Sequence, residues 1–333
     1  MYDPDLQELI DEMAHEPEET EEPERGIADA DRWLLSSNLQ KAVRRGLTTV
    51  ATQSAQQLFQ LDSEYVWRRL AVIAFEDVGL AAPERCTRVL SLFRRKAMRQ
   101  KLGDERVLRK TVRLLTSSIK SRALCDGIAT LEFGPIRNST GDEVPLTVVL
   151  DSSKPLVARI AACRELCGWS SMQNGLRKMQ SRVDRSGMET LSASMNLTPN
   201  VAQMFLKGNG VSDYMNVPVP VIQDVISPTN CIVETSTRVF EGKDGVLHAA
   251  LDRHTRKGKL SLRRFAAELP GDLLPMRDRI GAVGAAIFIV EGSALDRWLV
   301  SPELEVIRSD FEDTFLDHYG CRGSNAQELI AAV

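Results

Sequence analysis

A chain of 333 residues, 43% hydrophobic and 26% charged, is long enough for two domains and has the make-up of a water-soluble globular protein. Its longest apolar run, Ala282 to Val290, is interrupted by Gly284 and falls far short of a bilayer span, and its acidic N-terminus is unlike a signal or transit peptide. The formal net charge of −4 hides an asymmetry. Residues 1–29 hold twelve acids against Arg25, whereas Arg85 to Arg122 holds thirteen bases against Asp104 and Glu105, a net of +11.

At the N-terminus, Leu6, Leu9, Ile10 and Met13 have the spacing of a short amphipathic helix. His15 to Gly26, rich in Glu and Pro, is expected to be disordered or loosely helical. The first firm helix is "RWLLSSNLQKAVRRG", capped by Asp29 or Asp31, with Leu35, Leu39, Ala42 and Val43 as its apolar stripe and Gly46 as the terminating residue. "LTTVATQSAQQLFQL" follows, with Val50, Leu58 and Phe59 inward. "SEYVWRRLAVIAFEDVG" is the third helix, with Ser63 as N-cap and Gly79 at its end. Pro83 sits where proline opens a helix, and this fourth helix is expected to run to Lys101, with Cys86, Val89, Leu90 and Phe93 on one side and Arg88, Arg95 and Arg99 on the other. Gly103 breaks it, and a fifth helix is predicted over about 104–130 on Val107, Leu108, Val112, Leu115 and Ile119.

Regularity then falls. Glu132 to Lys154 reads as a loop or small hairpin, Pro155 to Trp169 as helix, and 170–200 as loop with a short helix. Residues 216–240, rich in β-branched residues and proline, read as extended chain or edge strands. From Asp244 the pattern returns to helix, and no internal repeat has a convincing period.

Motifs for familiar chemistry are scarce. No G-x-x-x-x-G-K-[ST] occurs, so a P-loop ATPase is set aside, and "KGNG" at 207–210 is a turn signal. The six cysteines are scattered. Only Cys163 and Cys167 stand one helical turn apart, without further ligands nearby, so no metal, cofactor or disulfide is expected. His254, near Asp252, sits among Arg256, Lys257 and Lys259. These bases with Thr255 suit phosphate contacts, although a buried histidine bridging two helices is the plainer reading.

Glu76 and Asp77 raise a sharper question, because carboxylates are unfavourable at a helix C-terminus. As neighbours on a helix they point about 100° apart, so they do not form one acid–base pair. Each is expected to answer a local problem. One would accept from the amide groups opening the Pro83 helix, and the other would pair with Arg68, Arg69 or an arginine of the next helix.

The same stretch, "YVWRRLAVIAFEDVGLAAPE" after "LQKAVRRG", resembles the C-terminal helical region of clamp-loader-like AAA+ ATPases. The group in question is the replication-associated recombination ATPase family, bacterial counterparts of the Werner-helicase-interacting ATPase. Arg68, Arg69, Leu70, Glu76, Asp77, Val78, Gly79, Leu80, Ala81 and Pro83 match its pattern, and the resemblance covers about residues 33–130. It implies a collar that holds subunits together near replicating DNA. It does not imply ATP hydrolysis, because an acidic tail stands where the ATPase core is expected.

The expected architecture is mainly α: an acidic tail (1–29), a collar-like helical bundle (30–135) and a mostly helical C-terminal region (136–333) with some extended chain. The expected function is that of a non-enzymatic accessory or scaffold protein of DNA replication, recombination or repair. It would be intracellular, nucleoid-associated when on DNA, without membrane contact and homo-oligomeric, with DNA or a AAA+ ATPase or other replication protein as partner. Candidate contacts to DNA backbone are Arg94, Arg95, Lys96, Arg99, Lys101, Arg109, Lys110, Arg113, Arg256, Lys257 and Lys259, while Arg68, Arg69, Glu76, Asp77, Gly79 and Pro83 form a structural motif. The alternatives are an adaptor without nucleic-acid contact, or an enzyme centred on His254.

Overall fold

The computed structural model describes Ile27 and residues 30–121, 123–124, 144–167, 185–208, 218–223, 245–247, 250 and 254–256. Local sequence sets most helix boundaries. Helix α1 (Arg32–Arg44) starts where the Asp31 carboxylate accepts from the Leu34 amide at 2.8 Å, and it ends at Gly46, whose φ of +70° closes the helix. Helix α2 (Thr48–Leu61) follows at once. Helix α3 (Ser63–Ile73) is capped by Asp62, one residue before the expected Ser63, through a 3.0 Å bond from the Tyr65 amide.

Beyond Ile73 the chain widens into a π-helical turn (Ala74–Val78) and then tightens into a 3-10 turn (Gly79–Ala81). Pro83 opens α4 (Pro83–Arg94). The single helix expected to reach Lys101 is broken at Arg95, and a separate short helix α5 (Lys96–Leu102) follows. Gly103, at φ +86°, turns the chain into α6 (Asp104–Thr116). Helix α6 stops well before position 130, and Ile119, expected inside, is 58% exposed beyond its end.

Further along are α7 (Pro145–Leu150), α8 (Leu156–Leu166), α9 (Arg185–Ser194), α10 (Pro199–Lys207) and α11 (Val219–Gln223). Two expectations are corrected here. Residues 145–150, read as loop or hairpin, are helical, and 219–223, read as extended, form a helical turn. Residues 216–217 and 224–240, and the tail up to Gly26, lie outside the described residues, as do all positions after 256. No strand ladder occurs among the described residues, and the mainly helical fold class holds.

Packing is organised around α1 and α2, which lie against each other, with α6 on α2 and α3 beside both. Helix α4 packs on α3, on the π turn and on α10. One apolar core runs through the whole, including Leu39, Leu58, Trp67, Leu70, Phe75, Leu90, Val112, Phe205 and Leu247. Burying each large side chain stabilises the fold by about 1.5–3 kcal/mol. Described segments on both sides of position 135 share this core.

Helix α1 is unusual in being buried all round from Leu35 to Arg44, polar positions included. Buried polar groups need partners, and here each main one has them. The Asn38 amide donates to Ser54 Oγ (2.9 Å) and to the Gly245 carbonyl (3.0 Å), while its Oδ1 accepts from the Leu247 amide (2.8 Å). A side chain near the start of the chain thereby clamps residues 245–247 onto the bundle. Ile27 is fixed alongside by Gln57, which donates to its carbonyl (3.2 Å) and accepts from its amide (3.0 Å).

Candidate nucleic-acid interface

The acidic turn is built by α1. Asp77 is fully buried, and Arg44 Nε meets its Oδ1 at 2.6 Å, with Arg44 itself only 3% exposed. Gln40, one turn before Arg44 on α1, donates from Nε2 to Asp77 Oδ2 (3.0 Å) and also to Glu76 Oε2. The Gln40 carbonyl oxygen accepts from Arg69 Nη2, so a single amide links Arg69 to both acids. The Asp77 carbonyl accepts from the Ser121 amide at 3.0 Å, tying the turn to the segment after α6.

Two expectations change. The side-chain partners of the two acids described above come from α1 rather than from the amide groups of α4. Nor do the acids answer separate problems, because the wider π turn lets neighbouring side chains meet the same amide. Gly79 fits as expected: its φ is +51°, and an added Cβ would stand 3.3 Å from the Ser121 carbonyl oxygen. Cys86 reaches back from α4 to the Ala74 (3.0 Å) and Gly79 (3.4 Å) carbonyls, and burial pushes its thiol far above the ordinary range. Arg68, on the far side of α3, is exposed. The arrangement is a packed joint, and no cluster of metal ligands occurs among the described residues.

The basic segment divides into two classes. Several of its cations are bound to the carbonyl ends of helices, where the partial negative charge of the macrodipole gathers. Arg85 Nη1 donates to the Leu114 carbonyl (3.1 Å) and to the hydroxyls of Ser117 and Ser118, at the end of α6. Lys120 covers the same end with bonds to the Leu115, Thr116 and Ser118 carbonyls at 2.9, 2.8 and 2.6 Å. Burial, partly offset by Asp77 and reinforced by Arg85, lowers its pKa to about 8. Arg94 Nη2 meets the Lys207 carbonyl at the end of α10 (2.5 Å).

Arg99 belongs to this class and corrects the sequence reading. Only 1% exposed, it donates to the Leu92 and Phe93 carbonyls at the end of α4 (2.6 and 2.8 Å) and to Asp104 (3.0 Å). Its guanidinium stacks 4.3 Å from the ring centroid of Trp67, whose indole N–H also donates to Asp104 (2.9 Å). It is a structural plug, withdrawn from any phosphate.

The second class stays at the surface. Lys96 and Lys101 of α5 are exposed, with Lys96 paired to Glu64. Arg95 before α5, and Arg109, Lys110 and Arg113 along α6, are half-buried. Arg256 is exposed, while Lys257 and Lys259 lie outside the described residues. His254 is exposed at a turn, contrary to the buried helix-bridging role expected for it, and Asp252 lies outside the described residues.

Sequence reasoning missed Gln40, Arg44 and Lys120. A signal existed for the first two: a Gln and an Arg four apart stand on one face of α1, in register to hold one partner. It also missed the surface at the opposite ends of α1 and α3. There Trp33, 49% exposed, stands edge-on to Tyr65 at 6.3 Å, and the Arg32 guanidinium lies 4.9 and 5.2 Å from the two rings.

A joined set of short helices is what the resemblance to the C-terminal helical region of clamp-loader-like AAA+ ATPases implies. Comparison with known families agrees. Residues 58–158 match the family described as the C-terminal domain of the MgsA AAA+ ATPase, so this stretch is similar to that domain. No curated protein and no solved structure matches the chain. No helix among the described residues is long and apolar enough to cross a membrane.

Proposed function

We propose that this chain is an accessory or scaffold protein of DNA replication, recombination or repair. It acts without catalysis of its own, holding nucleic-acid backbone, or a replication ATPase, on the basic surface of α5 and α6. One observation carries the reading. The stretch similar to the MgsA domain, 58–158, is also the stretch that presents Arg95, Lys96, Lys101, Arg109, Lys110 and Arg113. Cations placed on a rigid helical surface bind phosphate by releasing counterions, with little dependence on base sequence.

Fluorescence anisotropy with a labelled duplex across a salt series tests it. The full chain is expected to bind with log K falling linearly against log salt. The K101E/K110E variant is expected to bind more weakly and with a slope shallower by about 0.9 for each phosphate that it no longer neutralises. Absence of binding at low salt would shift the reading to an adaptor. The Arg32–Trp33–Tyr65 patch favours that second reading, since Trp, Tyr and Arg dominate the energetic centres of protein interfaces.

A further inference from the structure

The acidic tail is not absorbed by that proposal, and its charge is the opposite of the surface just described. Between Asp3 and Glu24 there are eleven acids and no Lys or Arg. Its densest part, Glu16 to Glu24, holds six acids in nine residues. Drawn out, that part spans about 30 Å, or about one charge per 5 Å, against one per 3.4 Å along a strand of B-DNA.

The structure shows where this segment starts from. Ile27 is 3% exposed and gripped on both its amide and its carbonyl by Gln57 of α2. Helix α6, which carries Arg109, Lys110 and Arg113, packs directly on α2. Reach is not limiting: 26 residues extend to about 85 Å, against a radius of gyration of about 20 Å for a compact chain of this length.

We infer that residues 1–26 serve as an internal polyanion, tethered at Ile27, that occupies the basic surface of α5 and α6 and is displaced by nucleic acid. The inference rests on the nucleic-acid reading above. Tethering places the tail at an effective concentration of about 1 mM, so an intrinsic affinity of only about 0.1 mM would keep the surface about nine-tenths occupied. Such masking weakens nucleic-acid binding about tenfold at low salt and fades as salt screens both interactions.

The test compares the full chain with a full-length variant in which Glu16, Glu18, Glu19, Glu21, Glu22 and Glu24 are all changed to Gln. These positions precede Ile27 in the sequence and fall outside the residue ranges of the helices described above. Binding of a labelled duplex and a labelled single strand is read by anisotropy over a salt series. The variant is expected to bind about tenfold more tightly at low salt, with the difference closing as salt rises. Equal binding by the two proteins would overturn the mask and leave the nucleic-acid reading standing. Failure of both to bind would overturn the reading and the mask with it. In the unmodified protein, zero-length carbodiimide cross-links are expected from residues 16–24 to Lys96, Lys101 or Lys110 at low salt. Links spread evenly over all lysines, or none to these three, would also overturn the mask.

Discussion

Asp77 and Arg44 form an ion pair shut away from water, and such a pair responds asymmetrically to mutation. Removing one partner leaves the other as a bare buried charge, whereas removing both leaves none. Asp77→Asn and Arg44→Met are therefore each expected to lower the unfolding free energy by about 3–5 kcal/mol, and the double variant by clearly less than their sum. Urea unfolding of the three proteins checks this. Lys120 gives a second prediction at this scale. Its folded pKa, lowered to about 8 chiefly by burial, lies below the value of about 10.4 expected in the unfolded chain. The unfolded state thus binds more protons between those values, and the contribution of Lys120 to stability rises with pH across that window. The stability of the wild type relative to Lys120→Met is expected to grow from pH 8 to about pH 10, as read by denaturant melts at several pH values.

At the scale of elements, the two classes of cation in the basic segment should separate in a simple experiment. Arg99 holds the end of α4, the start of α6 and Trp67 together, so Arg99→Met strands two carbonyls and takes the cation from Asp104, and it is expected to cost about 3 kcal/mol or more. Lys101, two residues on and exposed, is expected to tolerate Gln within about 0.5 kcal/mol. Thermal melts of both variants decide it. The same elements show what was legible in the sequence. Helices α1 to α4 were readable because their ends are written in residues with one dominant use: an aspartate cap, Gly46 and Gly79, Pro83. The break at Arg95 was not, because no glycine or proline marks it. The plug that stabilises it, Arg99, looks in sequence like any other surface arginine. The π turn was illegible for a related reason, since one extra residue in a helix leaves no mark in composition. At 219–223, proline and valine argued for extended chain, and packing of Val219, Val221 and Ile222 into the core overrode that preference. The acidic turn was legible as a joint, but apart from Arg69 its partners stand on α1, 33 to 37 residues back, beyond the neighbouring helices where they were sought.

Across the whole molecule, residues far apart in sequence are held by single polar side chains. Asn38, itself fully buried, makes three bonds, two of them to the segment at 245–247. Asn38→Leu would leave the Leu247 amide and the Gly245 carbonyl without these partners, and it is expected to destabilise the protein by about 2–3 kcal/mol. Faster amide exchange or proteolytic cleavage near residue 245, with α2 to α4 still protected, would mark the effect as a local release of that segment. The buried joint around Asp77 carries a different consequence, for inheritance. The stretch similar to the MgsA domain begins at residue 58, yet Arg44, which neutralises Asp77 in its turn, and Gln40, which hydrogen-bonds to the same carboxylate, lie before that point. A gene fragment cut at position 58 would encode a carboxylate folded into an apolar interior with its cation left behind. The smallest piece that recombination can move between proteins as a working part therefore starts no later than α1. Any exchange that alters Arg44 has to alter Asp77 in the same step or soon after.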